Sequence, residues 1–401
     1  MGLDSNKKKE ALKFIFLFGL ISALGDVTYE GARSVYGNYL GFLGASALYI
    51  GVITGFGEFL GYAFRILSGY FVDRTGKSWA AAILGYGLLI SVPLLAIAKS
   101  WKIAALFIIL ERLGKAIRNP GKDTMLSHAT KHVGTGVGFG ISEALDQLGA
   151  IIGPMIFTLA LSFYGSYKIG FQLMWIPAIL TVAVVLYTRY KFPRPKDLEE
   201  NFEKTSKLSN KNISNANLSK SFWHYLLFIF LSVLGFANFP VLSYHLMKQK
   251  VLSEAIIPTL YALAMALDGS FAVLVGKYYD KKGLGTLILI PILSIPIVFL
   301  GFSQSSLLAI IAIALWGCVM SIHETLIKAV IADIIPIKNR GKAYGIFNTV
   351  YGVSMLLGST IIGYLYDFSK LYIFIYVVTI EILAAIVFIL WKKNNPHDVK
   401  A

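Results

Sequence analysis

The sequence predicts an all-α, polytopic membrane protein: twelve transmembrane helices in two pseudo-symmetric six-helix bundles. Composition is the first reason. Of 401 residues, 56% are hydrophobic and 15% charged, with a mean hydropathy of +0.67, whereas an average soluble domain is roughly 25% charged. Twelve spans of about 20 residues absorb about 240 residues, close to the apolar content. The second reason is that apolar stretches of spanning length recur twelve times between short charged loops. The third is an internal repeat. Gly69, Asp73 and Gly76 return as Gly276, Asp280 and Gly283, shifted by 207, while Gly140 and Gly153 return as Gly345 and Gly358, shifted by 205.

The first span is expected over 13–40. The opening MGLDSNKKKEALKF runs into it without a small-residue cleavage site, so it reads as a retained helix rather than a removable signal. Position six is Asn6, which also fails the myristoylation pattern. Spans over 47–71 and 79–98 follow, separated by the charged turn SGYFVDRTGK. The fourth, 102–126, is rich in ions, and 137–163 and 169–190 complete a first unit, residues 1–190. Residues 191–220, rich in Lys, Asn, Ser and Glu, have too little apolar content for a core and are expected to be a mobile linker. The second unit, 221–401, carries spans over 221–247, 255–276, 285–302, 306–332, 344–368 and 371–391.

Loop charge orients the bundle. Lys and Arg number 25 on the side holding both termini and the linker, against six on the other: Lys99, Lys102, Lys168, Lys248, Lys250 and Lys370. By the positive-inside rule the termini and linker are cytoplasmic in a plasma membrane. The sequons at Asn212 and Asn217 then lie inside and read as chance. The net charge of +15 is explained by those loops without a nucleic-acid partner. A single cysteine, Cys318, excludes an internal disulfide and a four-cysteine metal centre. Of the six His residues only His128 and His132 have the HxxxH spacing, none forms HExxH, and no nucleotide-binding loop is present. A membrane enzyme or a sensor is therefore disfavoured, and no cofactor or metal is expected. Duplicated bundles that rock about a central site point to a secondary transporter.

Two motifs carry a family resemblance. Gly69-x-x-x-Asp73-Arg74-x-Gly76-Lys77 resembles motif A of the major facilitator superfamily, and Gly140-(x8)-Gly149-(x3)-Gly153-Pro154 is similar to its motif C. The resemblance covers essentially the whole chain. It implies that Asp73 caps the helix starting near Tyr344, where a carboxylate is favoured by the helix dipole, and that Lys77 pairs with Asp123. That latch would hold the outward-facing state and weaken as the halves rock. Motif C is shared with proton-coupled antiporters and implies export. Gly149 and Gly153, four apart, also offer one small face for close helix approach, and Pro154 permits a bend. The fourth span, Glu111-Arg-Leu-Gly-Lys-Ala-Ile-Arg-Asn-Pro120, departs from the drug antiporters' pattern. With Gly25-Asp26-x-x-x-Glu30 it is more similar to poorly characterised prokaryotic members.

Charge within the spans is the candidate chemistry, because each membrane ion costs about 2.5–3.5 kcal/mol or more on insertion scales. Asp26, Glu30 and Arg33 share one face at i, i+4 and i+7, and Asp26 sits about 20 Å along its span. Glu111, Lys115 and Arg118 repeat that spacing, with Arg112 beside them; Glu58 and Arg65 are seven apart; Glu143 and Asp146 are three apart. The second half offers only Asp268, Glu324, Lys328 and Glu381, with His323 alongside. The first-half spans hold one more carboxylate than cations, and an unpaired carboxyl in a low-dielectric site favours its protonated form. Asp26 and Glu30 are the expected proton carriers, tuned by Arg33, with an ion-pair network to the fourth helix as the alternative. Glu143 and Asp146 are second candidates or partners of Arg112 and Arg118. Asp268, with no cation on its helix, is a substrate or proton candidate. Glu324 and Lys328 read as an i, i+4 pair, His323 as a hydrogen-bonded residue, and Glu381 has no assigned role. Of the aromatics Tyr29, Tyr36, Phe56, Phe236, Tyr244 and Trp316, some are expected to line a cavity. The expectation is a monomeric, proton-coupled exporter of a small organic or amphipathic solute, with metal-cation export or uniport and symport of a metabolite as alternatives.

Overall fold

The computed structural model describes residues 2–130, 133, 135–198, 218–335 and 339–394. Both sequons and most of the expected linker, 199–217, lie outside the described residues, as does the Lys328 side chain. Among the described residues the structure is helical throughout. The first half comprises α1 (Gly2–Arg33), α2 (Tyr36–Phe42), α3 (Ala47–Thr75), α4 (Ser78–Gly87), α5 (Ser91–Leu94), α6 (Trp101–Thr130), α7 (Thr135–Tyr164), α8 (Tyr167–Leu173) and α9 (Trp175–Lys191). The second comprises α10 (Lys220–Gly235), α11 (Phe239–Lys248), α12 (Ile256–Lys282), α13 (Leu289–Gly301), α14 (Ser306–Ile334), α15 (Arg340–Phe368) and α16 (Lys370–Asn394).

Among the described residues ten stretches are long and apolar enough to cross a membrane. Two features reconcile that number with twelve. The stretch Ile256–Gly301 has 46 residues, about 69 Å of helix, and Gly283 breaks it with φ 60°, so it is two crossings. Helix α6 has spanning length but is crowded with Arg112, Lys115, Arg118 and Lys122, which its burial pattern turns inward.

Close packing within each half uses glycines, as the spacing of motif C predicts. A Cβ on Gly149 would run into the Ala23 carbonyl, and one on Gly153 into Val27 and Gly31, so α7 and α1 touch backbone to backbone. Gly358, the repeat counterpart of Gly153, meets the Leu234 carbonyl of α10 in the same manner. Gly140 has open space around it.

Two spans are interrupted at equivalent places. The first breaks between α1 and α2, where Ser34 Oγ donates to Gly31 O (2.6 Å). The seventh breaks between α10 and α11, where Trp316 Nε1 donates to the freed Ala237 carbonyl (2.9 Å). The halves meet tightly at the end of the bundle away from the termini. There Leu48 N donates to Asp367 Oδ2 (3.2 Å), Tyr167 OH to Glu254 Oε2 (2.5 Å), and Thr158 and Thr259 hydroxyls lie 2.9 Å apart. Asn238 Nδ2 donates to Thr54 Oγ1 (3.0 Å) and Ser359 Oγ (2.8 Å). Gly37 against Pro240 and Gly51 against Ser359 leave no room for a side chain.

Candidate functional site

Between the halves lies a cavity of about 290 Å³, walled by α1, α3, α6 and α7 on one side and α12, α14 and α15 on the other. It extends from Arg33 near the closed end to Lys122, Asp123 and Asn348 towards the terminus-bearing end. Its wall is ionic. Arg33, Arg65, Arg112, Lys115, Arg118 and Lys122 face it, together with Asp26, Glu30, Glu58, Asp123, Glu143, Asp146, Asp268 and Glu324. Among the described residues all the Lys and Arg lining it come from the first half, in keeping with the polar asymmetry between the two halves of the sequence.

The centre of the network is Glu58. Its Oε1 accepts from Arg33 Nη2 at 3.0 Å and lies 3.1 Å from Arg112 Nη2. Glu30 is held from three sides: Arg33 Nη1 at 3.6 Å, Lys115 Nζ at 3.9 Å, and Tyr261 OH, which donates to Glu30 Oε2 at 2.5 Å. Tyr261 belongs to α12, so this last bond crosses between the halves. The Tyr29 hydroxyl accepts from Arg112, and its ring lies under Lys115 Nζ at 3.8 Å and Arg112 Cζ at 4.7 Å. Aromatic faces and carboxylates thus share the solvation of the same cations.

Nearer the open end, Lys122 Nζ donates to Asp146 Oδ2 (3.0 Å) and Ser22 Oγ (2.6 Å). The partner of Asp146 is therefore Lys122, not Arg112 or Arg118. Arg112 instead serves Glu58, and Arg118 stacks over Tyr86 at 5.0 Å. Arg65 sits over Tyr62 at 5.0 Å and, with the Asn119 amide suitably turned, donates to its oxygen (3.1 Å). It does not pair with Glu58 along their shared helix. Glu111 is fully buried behind the wall with Arg112 Nε at 3.7 Å.

Two carboxylates contrast with the ion-paired Glu30, Glu58 and Asp146. Asp26 lines the cavity amid the charges of Asp146, Lys115, Glu30 and Lys122, without an ion pair among the described residues. Asp268 is 3% exposed, with Gln147 as hydrogen-bonding neighbour and the carboxylates of Glu324, Glu143 and Glu30 around it. Among the described residues it too has no ion pair. His323 shares Nδ1 with Tyr351 OH (3.1 Å), the hydrogen-bonded role expected of it. Among the described residues no group of three His, Cys, Asp or Glu is arranged to hold a metal.

Motif A lies mostly on helix rather than in a loop: Gly69, Asp73 and Arg74 belong to α3, and the turn begins only at Gly76, whose φ of 66° ends the helix. Asp73 and Lys77 are exposed, and Arg74 donates to Tyr70 OH (3.0 Å). The helix that Asp73 was expected to cap begins at Arg340, one turn before Tyr344, after Asn339. Among the described residues no hydrogen bond joins Asp73 to it. Asp123 faces the cavity.

The model of the Major Facilitator Superfamily matches residues 14–328 and 292–401. The chain belongs to this superfamily. An uncharacterised protein of Mycobacterium bovis is 38% identical over 379 residues, covering 94% of this chain and 92% of its own length. An uncharacterised MFS-type transporter of Methanocaldococcus jannaschii is 30% identical over 397 residues, covering 96% of each. Among solved structures, the nucleoside transporter NupG superposes with a TM-score of 0.73 at 12% identity, covering 94% of this chain and 99% of that one. A bacterial homologue of the lysosomal transporter Spinster gives 0.70 at 15% identity, covering 96% and 98%. At such identities the likeness is one of fold. The major facilitator chain is a multi-pass membrane protein of the secondary transporter class.

Proposed function

We propose that the protein is a proton-coupled antiporter that exports a small polar organic solute by alternating access. One observation supports this reading above others: an ionic cavity between the halves, sealed at one end by direct bonds between them and reached from the other, lined by two carboxylates, Asp26 and Asp268, that form no ion pair among the described residues. A carboxyl in such a place exchanges a proton with little rearrangement of its surroundings. Glu30, already shared among Arg33, Lys115 and Tyr261, transmits the charge change to the second half, while Asp26 carries the proton. The ionic wall favours the polar members of the solute class over amphipathic ones, because apolar surface gains nothing against desolvated charge. Residues 1–190 and 221–401 are the rocking units and 191–220 the connection. The protein is a plasma-membrane monomer with termini and linker inside, and the cavity therefore opens to the cytoplasm. Disengagement of Asp73 from α15 fits that inward-facing state.

Everted vesicles acidified inside, with a pH-sensitive dye, test the proposal. A panel of amino acids, sugars, amphipathic cations and divalent metals is added in turn. Proton release by one organic class, present with the protein and absent from empty vesicles, is the expected result. Solute movement that leaves the dye unchanged establishes uniport and overturns the coupling.

A further inference from the structure

The cavity's charges do not balance locally, and the imbalance has a direction. Helix α6 presents Arg112, Lys115, Arg118 and Lys122 at spacings of three, three and four, a stripe on one face. Arg112 and Lys122 are ion-paired with Glu58 and Asp146. Arg118 is not: it is 3% exposed, and its Nη1 makes no hydrogen bond among the described residues. Arg65, facing the same cavity from α3, likewise leaves Nε without a partner. Among the described residues neither guanidinium forms an ion pair.

The opposite wall is different. No Lys or Arg of the second half lines the cavity among the described residues, whereas Asp268 and Glu324 do. Asp268 is buried beside other carboxylates. The first half thus leaves two guanidiniums without ion pairs among the described residues, while the second brings carboxylates and no Lys or Arg; such a site is costly when empty of counter-charge, since ions withdrawn from water need partners.

We propose that the transported solute is a zwitterion, its anionic group held by Arg65 and Arg118 and its ammonium by Asp268. This rests on the transport reading above and names its substrate class. The planar guanidinium suits a carboxylate in paired hydrogen bonds, and a buried carboxylate suits an ammonium. A simple anion or cation would satisfy one wall and leave the other uncompensated. A zwitterion spans both halves, so it binds best where the two walls face each other closely, and this difference between states is what lets a solute drive rocking.

Purified protein in detergent is titrated with glycine, β-alanine, γ-aminobutyrate and 5-aminopentanoate, which separate the same two charges by increasing distance. Thermal stabilisation reports binding; acetate, ethylammonium and glucose are the controls. One or two adjacent members of the series are expected to stabilise the protein, and the controls are not. Arg65→Gln and Asp268→Asn should each weaken that binding by roughly tenfold or more, the loss of one charge-assisted bond. Arg65→Lys, which keeps the charge but not the paired bonds, should recover part of it and Asp268→Glu most of it, which a folding defect would not. The inference is overturned if acetate or ethylammonium stabilises equally, if no zwitterion binds, or if both neutralised variants bind normally. Proton release by an uncharged solute in the vesicle assay, with no zwitterion effect, overturns the substrate class alone and leaves transport standing. Zwitterion binding without proton release leaves the substrate class standing and overturns the proton coupling.

Discussion

Removing the Tyr261 hydroxyl should loosen the sealed end of the cavity. Tyr261 OH donates to Glu30 Oε2 across the halves at 2.5 Å, on the part of α12 that leads to the Thr158–Thr259 and Tyr167–Glu254 contacts. Opening that end must break this bond. A hydrogen bond to a charged group contributes about 1.5–3 kcal/mol, which converts to roughly 10- to 150-fold in an equilibrium. The lower end applies, because Glu30 keeps Arg33 at 3.6 Å and Lys115 at 3.9 Å in the absence of Tyr261. Tyr261→Phe preserves the ring packing on Phe239 and Trp316, so the change isolates the hydroxyl. Cys318 is the sole native thiol; with Cys318→Ser as background, Ala47→Cys places a probe at a fully buried position of the closed end. Labelling by an impermeant maleimide then reports how often that end opens. Tyr261→Phe should raise the labelling rate by roughly tenfold. A rate unchanged by the substitution would refute the role of this bond in closure.

Other perturbations separate closure from folding. Gly37→Ala and Gly51→Ala put a methyl against Pro240 and Ser359 across the halves; both should increase labelling at the same probe while the protein still folds. Gly153→Leu acts within one half, wedging α7 from Val27 and Gly31 of α1, and should lower expression and thermal stability, overpacking costing about 1–3 kcal/mol or more. Lys122→Met strands Asp146, whose ion pair is 3.0 Å long. A loss of about 3 kcal/mol is expected, read as earlier thermal denaturation, and adding Asp146→Asn should restore much of it.

Much of this was legible in the sequence. Span number, repeat and the concentration of charge in the first half follow from composition and spacing, which depend only on chain-local chemistry. Gly149 and Gly153 predicted a close helix approach because a four-residue spacing fixes a helix face, while the partner, α1, is seen only in the packed structure. Pairings between helices were less legible. The seven-residue separation of Glu58 and Arg65 suggested an intrahelical relation, yet Glu58 turns to Arg33 and Arg112, whose positions depend on how three helices rotate against one another. Lys122 was counted with the loop cations although it extends the α6 stripe by one more turn; that periodicity was the available signal. Tyr261 and Asn238 carried no signal, since a tyrosine or asparagine in a span has many uses and only the packed halves reveal the partner. Asp73 illustrates a different limit: a contact with the helix starting at Arg340 depends on how the two halves sit, which spacing within α3 does not fix.

The most direct measurement uses proteoliposomes loaded with the solute identified by the vesicle panel. Exchange of labelled for unlabelled solute requires only alternating access, whereas accumulation driven by a pH gradient also requires the proton. Asp26→Asn should keep exchange near the parent rate and lose gradient-driven accumulation. Accumulation that survives the substitution would contradict the assignment of the proton to Asp26, and loss of exchange together with accumulation would make Asp26 part of solute binding rather than coupling.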